Sequence, residues 1–269
     1  MTGDAATLEP SGDALVARLR AAGCVFAEDE AAVLRESAAD HAALERLAAR
    51  RVAGEPLEQV VGWVDFDGLR LAVAPGVFVP RQRTVVLARE AARLAAAADP
   101  GRPAVVVDLC CGVGAVGALV AARVPGVVVH AADVDPAAAA VARRNLPLAH
   151  VTAGDLFDAL DPALRGGVDV LAANAPYVPT DAIATMPPEA RLFEAPVALD
   201  GGADGLDVQR RVVAGAPHWL APGGHVLVET SERQAAQSRA AFRAAGLVDV
   251  RVVRDDDLDG TVVVGRRRA

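Results

Sequence analysis

The residues best suited to chemistry in this 269-residue chain are Asn174, Ala175, Pro176 and Tyr177, which follow the mostly apolar run 168–173. The run predicts a buried strand. Pro176 predicts a stiff turn at its end, because proline fixes φ and restricts the residue before it. The Asn174 side-chain oxygen and a main-chain carbonyl can each accept one hydrogen of a planar NH2 group, and Tyr177 offers a flat apolar face. The turn therefore predicts a grip for an amine or amide whose nitrogen stays free to attack.

A glycine-rich loop is the second candidate site. Residues 112–117 read GVGAVG, follow a short apolar strand and open a predicted helix. Glycines let the backbone approach a ligand closely, and a helix N-terminus presents free N–H groups. Asp133 stands about 20 residues after the first glycine, at the end of the next predicted strand, where a carboxylate can accept both hydroxyls of a ribose. The pattern predicts a nucleotide-type cofactor, and S-adenosylmethionine and NAD sites share it.

Further residues flank this loop. A carboxylate at Asp108, just before the glycines, suits the cationic methionine portion of a ligand better than a pyrophosphate, or it positions the loop by hydrogen bonding. Asp155 and Leu156 follow the third predicted strand, where an adenine edge would lie, and a plain turn is the alternative. Cys110 and Cys111 occupy loop positions that favour packing of small residues.

Composition limits the class of protein. Hydrophobic residues make up 53% and aromatic residues 3%, which predicts a full core of small aliphatic side chains. The formal net charge of −8 argues against a nonspecific grip on nucleic acid phosphates. Three cysteines without metal-ligand spacing predict neither a metal site nor a disulfide framework. Met1–Pro10 shows no signal peptide, and no apolar run is long enough to span a membrane, so we expect a cytoplasmic protein.

Periodicity then gives the elements that must position these residues. A helical first part is followed by a hairpin at Asp67-Gly68 within 63–80. From Thr84 onward, strands and helices alternate, which indicates a parallel sheet covered on both faces, and two adjacent antiparallel strands close it. The predicted helices cover 13–22, 27–37, 41–53, 84–98, 114–124, 136–146, 206–220 and 233–245. The predicted strands cover 104–107, 127–134, 150–156, 168–173, 225–229, 248–253 and 261–265.

With these motifs in place, the chain resembles the bacterial release factor N5-glutamine methyltransferases, the PrmC/HemK family, along nearly its whole length. An Asn-Pro-Pro-Tyr turn alone occurs in many amino-methyltransferases, and the combination with the other stretches makes the resemblance specific. The stretches that carry it are 79–81 with Thr84, 108–114, Asp133, 154–157, 174–177, 198–202 and 204–207, extended by 220–224 and 229–234.

The resemblance implies an α/β fold, a seven-stranded class I S-adenosylmethionine-dependent methyltransferase of Rossmann-like type. It implies a helical substrate-recognition domain at 1–62, a β-hairpin linker at 63–83 and the methyltransferase domain at 84–269. It also implies methyl transfer from S-adenosylmethionine to the side-chain amide of a glutamine in the Gly-Gly-Gln loop of a class I release factor, its protein partner. Direct contact with nucleic acid or membrane is not implied.

Carried over by position, the resemblance also implies roles for individual residues. The implied catalytic residues are Asn174, Pro176 and Tyr177. The implied cofactor-binding residues are Asp108, Cys110, Gly112, Gly114, Asp133, Val134, Asp155, Leu156 and Asn174. The implied substrate-binding residues are Phe78, Arg81, Asn174, Ala175, Pro176 and Tyr177.

Three positions depart from the family pattern: Ala175 replaces a proline, Val85 replaces a glutamate after Thr84, and Pro196 stands where arginine is common. These departures concern the acceptor more than the methyl transfer. Alternatives therefore stay open. The acceptor could be a small-molecule amine or another protein amine or amide, and the glycine loop also fits an NAD-dependent oxidoreductase or a noncatalytic binding module.

Overall fold

The computed structural model of the protein describes residues 12–269, so the expectation about a signal peptide at Met1–Pro10 lies outside the described residues. The α-helices are α1 Gly12–Ala21, α2 Ala27–Ser37, α3 His41–Val52, α4 Leu57–Val61, α5 Thr84–Ala96, α6 Ala115–Arg123, α7 Pro136–Asn145, α8 Pro188–Phe193, α9 Asp207–Trp219 and α10 Ala235–Ala244. The strands are β1 Trp63–Phe66, β2 Leu69–Ala72, β3 Val105–Leu109, β4 Val128–Asp133, β5 His150–Ala153, β6 Val168–Ala173, β7 Leu220–Glu229, β8 Val248–Asp255 and β9 Gly260–Arg266.

Seven strands form one sheet in the order β5-β4-β3-β6-β7-β9-β8. Strands β3 to β7 run parallel to one another, and β9 lies antiparallel between β7 and β8. The predicted seven-stranded methyltransferase-type α/β fold is therefore confirmed, including the closing antiparallel pair. Only β9 opposes the parallel strands, since β8 again follows their direction.

The sheet is covered on both faces, as its apolar strands require. One face packs against α5, α6, α7 and the hairpin, and the other packs against α9 and α10. Side chains of β3 alternate between the two faces of the sheet. Val106 packs in the cluster with α5 to α7, and Val107 and Leu109 pack in the cluster with α9 and α10. Helices α1 to α4 enclose a smaller cluster of their own, centred on buried Leu19 and Leu34.

The hairpin turns at Asp67 and Gly68, whose φ values of 54° and 81° are the left-handed conformation that a two-residue hairpin loop needs. Its strands end at Ala72, earlier than the predicted 63–80, and the remainder packs as irregular chain through buried Val77 and Val79. The hairpin shares its core with α5, whereas α1 to α4 have a separate cluster. The proposed boundaries at 62/63 and 83/84 stay predictions.

Several short elements were not predicted, because five or six residues carry too little periodicity. These are α4, α8 and the 3-10 helices Leu156–Ala159, Pro162–Leu164, Thr180–Thr185, Pro196–Ala198 and Glu232–Gln234. Strand β7 begins at Leu220 rather than at the predicted residue 225, and β3 extends through Asp108 to Leu109. Within residues 12–269, the helices are too short or too polar to cross a membrane.

Candidate active site

The parallel strands bring the chemistry-bearing residues to one edge of the sheet. Leu109 of β3 lies between Ala132 of β4 and Ala173 of β6, and Ala173 is paired with Val228 of β7. The next residue of each chain segment therefore emerges at the same carboxyl edge, where open α/β sheets bind ligands. These four residues are Cys110, Asp133, Asn174 and Glu229.

A cavity of about 290 Å³ opens at this edge. It brings together the glycine loop, the ends of β4 and β5, the Asn174 turn and the segment before α5. Of the residues predicted for the site, the structure places all but Asp108 and Gly114 in its wall. The predicted residues that line it are Phe78, Arg81, Cys110, Gly112, Asp133, Val134, Asp155, Leu156, Asn174, Ala175, Pro176 and Tyr177.

Gly114 lies outside the lining of this cavity. It precedes α6 with φ at 80°, and an added Cβ would lie 2.7 Å from Leu146 Cδ1 and 3.3 Å from Ala142 Cβ. Glycine is therefore needed here for packing against the end of α7, and contact of Gly114 with a cofactor stays a prediction. Gly112, at φ 54°, has no atom within 4 Å of an added Cβ and faces the cavity.

Asp108 lies outside the main cavity, inside the sheet. It is 1% exposed, and its Oδ2 accepts a hydrogen bond of 2.9 Å from the Gly117 N–H in the first turn of α6. Burial raises the pKa of this carboxyl to about 7, against the effect of the Gly117 N–H. Asp108 also borders a small neighbouring cavity of about 30 Å³ together with Cys110 and Asn174. The loop-positioning interpretation of Asp108 thus has a direct contact behind it.

Asp133 holds the glycine loop against the end of β4. Its Oδ2 accepts from Gly112 N at 2.7 Å and its Oδ1 accepts from Asp135 N at 2.9 Å. Burial raises the pKa of its carboxyl, and these two N–H groups act in the opposite direction. Each carboxylate oxygen has two lone-pair positions, so each can still accept a hydroxyl from a ligand in the cavity.

The far end of the cavity is apolar, with one ion pair at its rim. Leu156 is buried and Val134 is half exposed, while Asp155 Oδ2 is paired with Arg211 Nη2 at 2.7 Å. A flat heterocycle fits between such aliphatic walls, next to the Asp133 carboxylate at the ribose position. The anchored carboxylate and the open side of Gly112 therefore fit S-adenosylmethionine.

The Asn174 turn is oriented from behind by the start of α5. Asn174 Nδ2 donates to Thr84 Oγ1 at 3.2 Å, which leaves Asn174 Oδ1 to face the cavity. The carbonyl of Tyr177 is taken by Gln234 Nε2 at 3.0 Å. Within residues 12–269, no hydrogen bond reaches the carbonyl oxygen of Ala175. The turn therefore offers two acceptors to the cavity, Asn174 Oδ1 and Ala175 O.

Glycines of the segment 200–207 back the turn. Val178 N donates to Leu199 O at 3.2 Å, and Gly201 N donates to Val178 O at 2.9 Å. An added Cβ on Gly201 would lie 2.7 Å from Pro176 O, so only glycine permits this approach. Gly201 therefore packs closely against the Pro176 carbonyl, whose oxygen, like that of Ala175, receives no hydrogen bond within residues 12–269. The Asp-Gly-Gly stretch of the sequence is thus the support of the turn.

Arg81 is fixed at the cavity rim by a glutamate that sequence reasoning did not single out. Its Nη2 lies 2.7 and 2.8 Å from the two oxygens of Glu194, which also accepts from Val79 N at 3.1 Å. Burial raises the pKa of the Glu194 carboxyl, while the Arg81 charge acts to lower it. The Arg81 guanidinium carbon lies 5.0 Å from the centre of the Phe78 ring. The structure thus brings both predicted substrate residues to one point.

Glu229 is the second glutamate whose role was missed. It is 1% exposed, and its Oε1 accepts from the Tyr177 hydroxyl at 3.2 Å and lies 3.5 Å from Arg83 Nε. Burial is the main cause that raises the pKa of Tyr177 above its usual range. A signal was available: Glu229 ends a strand next to the one that ends at Asn174, and parallel strand ends meet.

The cysteines have no reactive environment. Cys24, Cys110 and Cys111 are free thiols, and burial raises the pKa of Cys24 to about 11 and those of the other two further. A thiol held protonated is a poor nucleophile and metal ligand. In the described part of the chain, no group of three or more His, Cys, Asp or Glu side chains could hold a metal ion.

Comparison with known proteins agrees with this geometry. Residues 90–251 match the family model described as "Methyltransferase small domain". A methyltransferase from Pyrococcus furiosus has a similar fold, with a TM-score of 0.54 and 18% identity over 75% of this chain and 90% of that one. The structural likeness shows the fold, and the family match supports methyl transfer over the NAD-dependent alternative, so the cofactor is S-adenosylmethionine.

Curated relatives narrow the family further. The release factor glutamine methyltransferase of Geobacter sulfurreducens is 37% identical over 229 residues, which are 84% of this chain and 78% of that protein. The 4-amino-L-phenylalanine/4-methylamino-L-phenylalanine methyltransferase of Streptomyces pristinaespiralis is 41% identical over 73% of this chain and 68% of that protein. The acceptor turn (residues 174–177), the glycine loop and Asp133 meet at one sheet edge. Together with these relatives, this arrangement shows that the chain belongs to the release factor N5-glutamine methyltransferase (PrmC/HemK) family.

Proposed function

We propose that the protein methylates the side-chain amide nitrogen of a glutamine, in the Gly-Gly-Gln loop of a class I release factor. The observation that carries the proposal is the orientation of Asn174: its NH2 group is bound by Thr84, so its oxygen faces the cavity. An acceptor-only pair, Asn174 Oδ1 and Ala175 O, complements a group that presents two N–H donors. A primary amide or amine is such a group.

The cofactor is held by residues of the glycine loop and the neighbouring strand ends. Gly112 would lie against it, Asp133 would accept its ribose hydroxyls, and Leu156 and Val134 would enclose its adenine. When bound, S-adenosylmethionine supplies a methyl group on a positively charged sulfur. The protein's own residues then need only to present the acceptor nitrogen to it.

Positioning is the main catalytic contribution of the turn. An amide nitrogen is a weak nucleophile because its lone pair is delocalised. Two hydrogen-bond acceptors on the amide hydrogens increase the electron density on nitrogen. They also fix the nitrogen in line with the methyl group, and such alignment removes much of a reaction barrier. Tyr177 packs a ring against the acceptor, and Pro176 stiffens the turn. The proton leaves nitrogen after the methyl has been transferred, so no strong base is required beforehand.

The direct test is incubation of the protein with S-adenosylmethionine and a class I release factor, followed by mass spectrometry. We expect a mass gain of one methyl on the Gly-Gly-Gln peptide. Asn174→Ala should abolish the gain while calorimetry shows cofactor affinity near that of the wild type, because Asn174 serves the acceptor. Retained methylation by this variant would contradict the role given to the turn.

A second candidate acceptor is an aromatic amine. The Streptomyces relative is named for 4-amino-L-phenylalanine, and it is 41% identical to this chain. The outer wall of the cavity is apolar, formed by Phe78, Met186, Val197 and Leu199, and such a wall fits an aromatic ring as well as a peptide stem. An aromatic NH2 would use the same two acceptors at Asn174 and Ala175.

A competition experiment separates the two candidates. Equal concentrations of a Gly-Gly-Gln release factor and 4-amino-L-phenylalanine are supplied together, and each product is counted by mass spectrometry. Preference for the protein by more than about tenfold, roughly 1.4 kcal/mol in the barrier, supports the main proposal. Preference for the amino acid would replace it with the second candidate.

We assign recognition of the protein substrate to the helical module, which consists of α1 to α4. It is joined to the cavity wall: buried Arg51 of α3 pairs with Glu189 of α8 at 2.6 Å, and Gln59 Nε2 donates to Phe193 O at 3.0 Å. The segment that follows α8 carries Val197 into the cavity. The module therefore contacts α8, and the segment after α8 contributes to the cavity wall. This connection supports a release factor as partner.

A further inference from the structure

A buried set of polar side chains lies behind the acceptor turn. Asn174 Nδ2 reaches Thr84 Oγ1 at 3.2 Å, and the Tyr177 hydroxyl reaches Glu229 Oε1 at the same distance. Thr84 is 2% exposed and Glu229 is 1% exposed. Arg83 Nε, 3.5 Å from Glu229, is the cation of the group. We call Asn174, Thr84, Tyr177 and Glu229 the amide relay.

The direction of hydrogen bonding in the amide relay follows from what each group can donate. An ionised carboxylate only accepts, so Glu229 takes the hydrogen of the Tyr177 hydroxyl. Thr84 Oγ1 accepts from Asn174 Nδ2. The NH2 end of the Asn174 amide therefore faces Thr84, and the oxygen faces the cavity.

The electrostatics around Glu229 agree with this direction. Burial raises the pKa of the Glu229 carboxyl, while hydrogen bonding by Thr84, the charge of Arg83 and hydrogen bonding by Tyr177 lower it. Within residues 12–269, Glu229 Oε2 has no hydrogen-bond partner. A buried carboxylate with an unpaired oxygen lowers stability, so stability does not explain its presence at this strand end.

We propose that Thr84, which holds the Asn174 amide, and Glu229, which holds the Tyr177 hydroxyl, are positioning residues of the turn and thereby select acceptors that present an NH2 group. The inference rests on the proposed function, since it assumes that Asn174 holds the acceptor. A reversed Asn174 amide would point two N–H donors at the acceptor NH2 and would instead favour a carbonyl or carboxylate. The amide relay serves a glutamine and an aromatic amine equally.

Nuclear magnetic resonance tests the orientation without any substrate. The chain contains two asparagines, Asn145 and Asn174, so 15N-asparagine labelling gives only two side-chain amides. Asn145 is the internal reference, because its Nδ2 donates to Ala72 O at 3.0 Å and to Val113 O at 2.8 Å. We expect Thr84→Val to speed hydrogen exchange of the Asn174 NH2 about tenfold or more and to leave that of Asn145 unchanged. Thr84→Ser should restore slow exchange.

Kinetics supplies the functional arm of the test. Thr84→Val and Glu229→Gln should lower kcat by about 10- to 100-fold, as expected for a misaligned acceptor, with the affinity for S-adenosylmethionine unchanged. Glu229→Gln should also remove the acidic limb of the pH–rate profile, which Glu229 protonation would cause. Thr230→Val is the matched control, because its buried hydroxyl lies 3.2 Å from Ser238 Oγ and outside the amide relay. It should retain the wild-type kcat.

The outcomes separate this inference from the proposed function. Unchanged Asn174 exchange in Thr84→Val, or an unchanged kcat in that variant, overturns the positioning role. If the wild type methylates neither acceptor, the proposed function fails, and the exchange rates of Asn174 still decide the amide relay. If Glu229→Gln does not fold, Thr84→Val and its rescue by serine decide it alone.

Discussion

Arg81 Nη2 lies within 2.8 Å of both carboxylate oxygens of Glu194, whose side chain is 0% exposed. The same glutamate accepts from the Val79 N–H, so one buried carboxylate ties the segment before α5 to the segment after α8. Both segments contribute to the cavity wall, through Arg81 and Val197.

Glu194→Gln should loosen this connection. We expect the free energy of unfolding to fall by about 1–3 kcal/mol, because the substitution removes the carboxylate charge and leaves the Arg81 guanidinium without its ionic partner. If Arg81 binds the acceptor as predicted, the KM for the acceptor should rise while the affinity for S-adenosylmethionine stays unchanged. Denaturant titration and initial rates measure both.

Glu232→Gln is the matched control, because Glu232 pairs with Arg254 at 3.3 Å and its side chain is 74% exposed. An exposed pair contributes about 0–1 kcal/mol. An unchanged acceptor KM in Glu194→Gln would show that Arg81 does not depend on this partner.

Gly201→Ala should damage the acceptor turn without greatly affecting the cofactor site. The added methyl would lie 2.7 Å from Pro176 O and 2.6 Å from Gly205 O, so the turn must move. A shift of about 1 Å in an acceptor site costs about 100-fold in rate. Single-turnover kinetics measures the loss.

Gly167→Ala tests whether the effect of Gly201→Ala is specific. Gly167 has no left-handed φ, and an added Cβ meets only Leu164 O at 3.4 Å, an ordinary contact. It should keep wild-type rates. Equal loss in both variants would mean that the closeness of Gly201 to the turn does not matter.

Asp108 predicts a pH dependence of cofactor affinity. Its pKa is raised by burial to about 7, so the carboxylate forms as the pH rises through that value. A negative charge beside the glycine loop favours a cationic ligand, and the affinity for S-adenosylmethionine should therefore increase from below to above about pH 7. Calorimetry across this range measures it.

S-adenosylhomocysteine, whose sulfur is neutral, should show no such increase, and Asp108→Asn should remove the increase seen with S-adenosylmethionine. In the ligand-free protein, the raised pKa of Asp108 has the opposite consequence: stability falls as the pH rises. A carboxyl whose folded pKa exceeds its ordinary 3.8 contributes stability that is lost as the pH rises through the folded value. Parallel pH curves for wild type and Asp108→Asn would contradict the assignment.

Tyr177 is the only tyrosine of the chain, so its titration can be read directly. Burial, followed by the charge of Glu229, raises the pKa of its phenol. We expect the ultraviolet absorbance of the phenolate to appear only above the ordinary value of 10.0. Glu229→Gln should move the titration to lower pH because the like charge is removed. Titration at the ordinary value in the wild type would place the ring in solvent.

The sequence predicted the regular elements well where the apolar pattern is long. Helix α2 and strand β6 have the predicted bounds, and the antiparallel end of the sheet was recognised from a turn without a helix. Helices α4 and α8 escaped because they are too short to show a period. Both lie at the contact between the helical module and the cavity.

The site was predictable where a motif is contiguous and not where it is assembled by the fold. Asn174 and Asp133 were identified because each ends an apolar strand. The supporting contacts join residues far apart in the chain, so no local pattern shows the pairings: Thr84 is 90 residues from Asn174, and Glu194 is 113 from Arg81. Packing on α7 explains a glycine at position 114 without a ligand, because close packing and approach to a ligand require the same residue type.

Because β9 lies between β7 and β8, the sheet can be completed only after this last strand has been synthesised. Residues 262–266 pair with 225–229 of β7, so a nascent chain that has not reached β9 leaves β7 as an open edge. Pairings so distant in sequence form late, and an open apolar edge invites aggregation. A ribosome-bound chain stalled before Gly260 would already contain the whole glycine loop and the Asn174 turn, yet Glu229 would stand beside an unfinished sheet. Catalytic competence should therefore appear abruptly, with the last strand, rather than grow as synthesis proceeds.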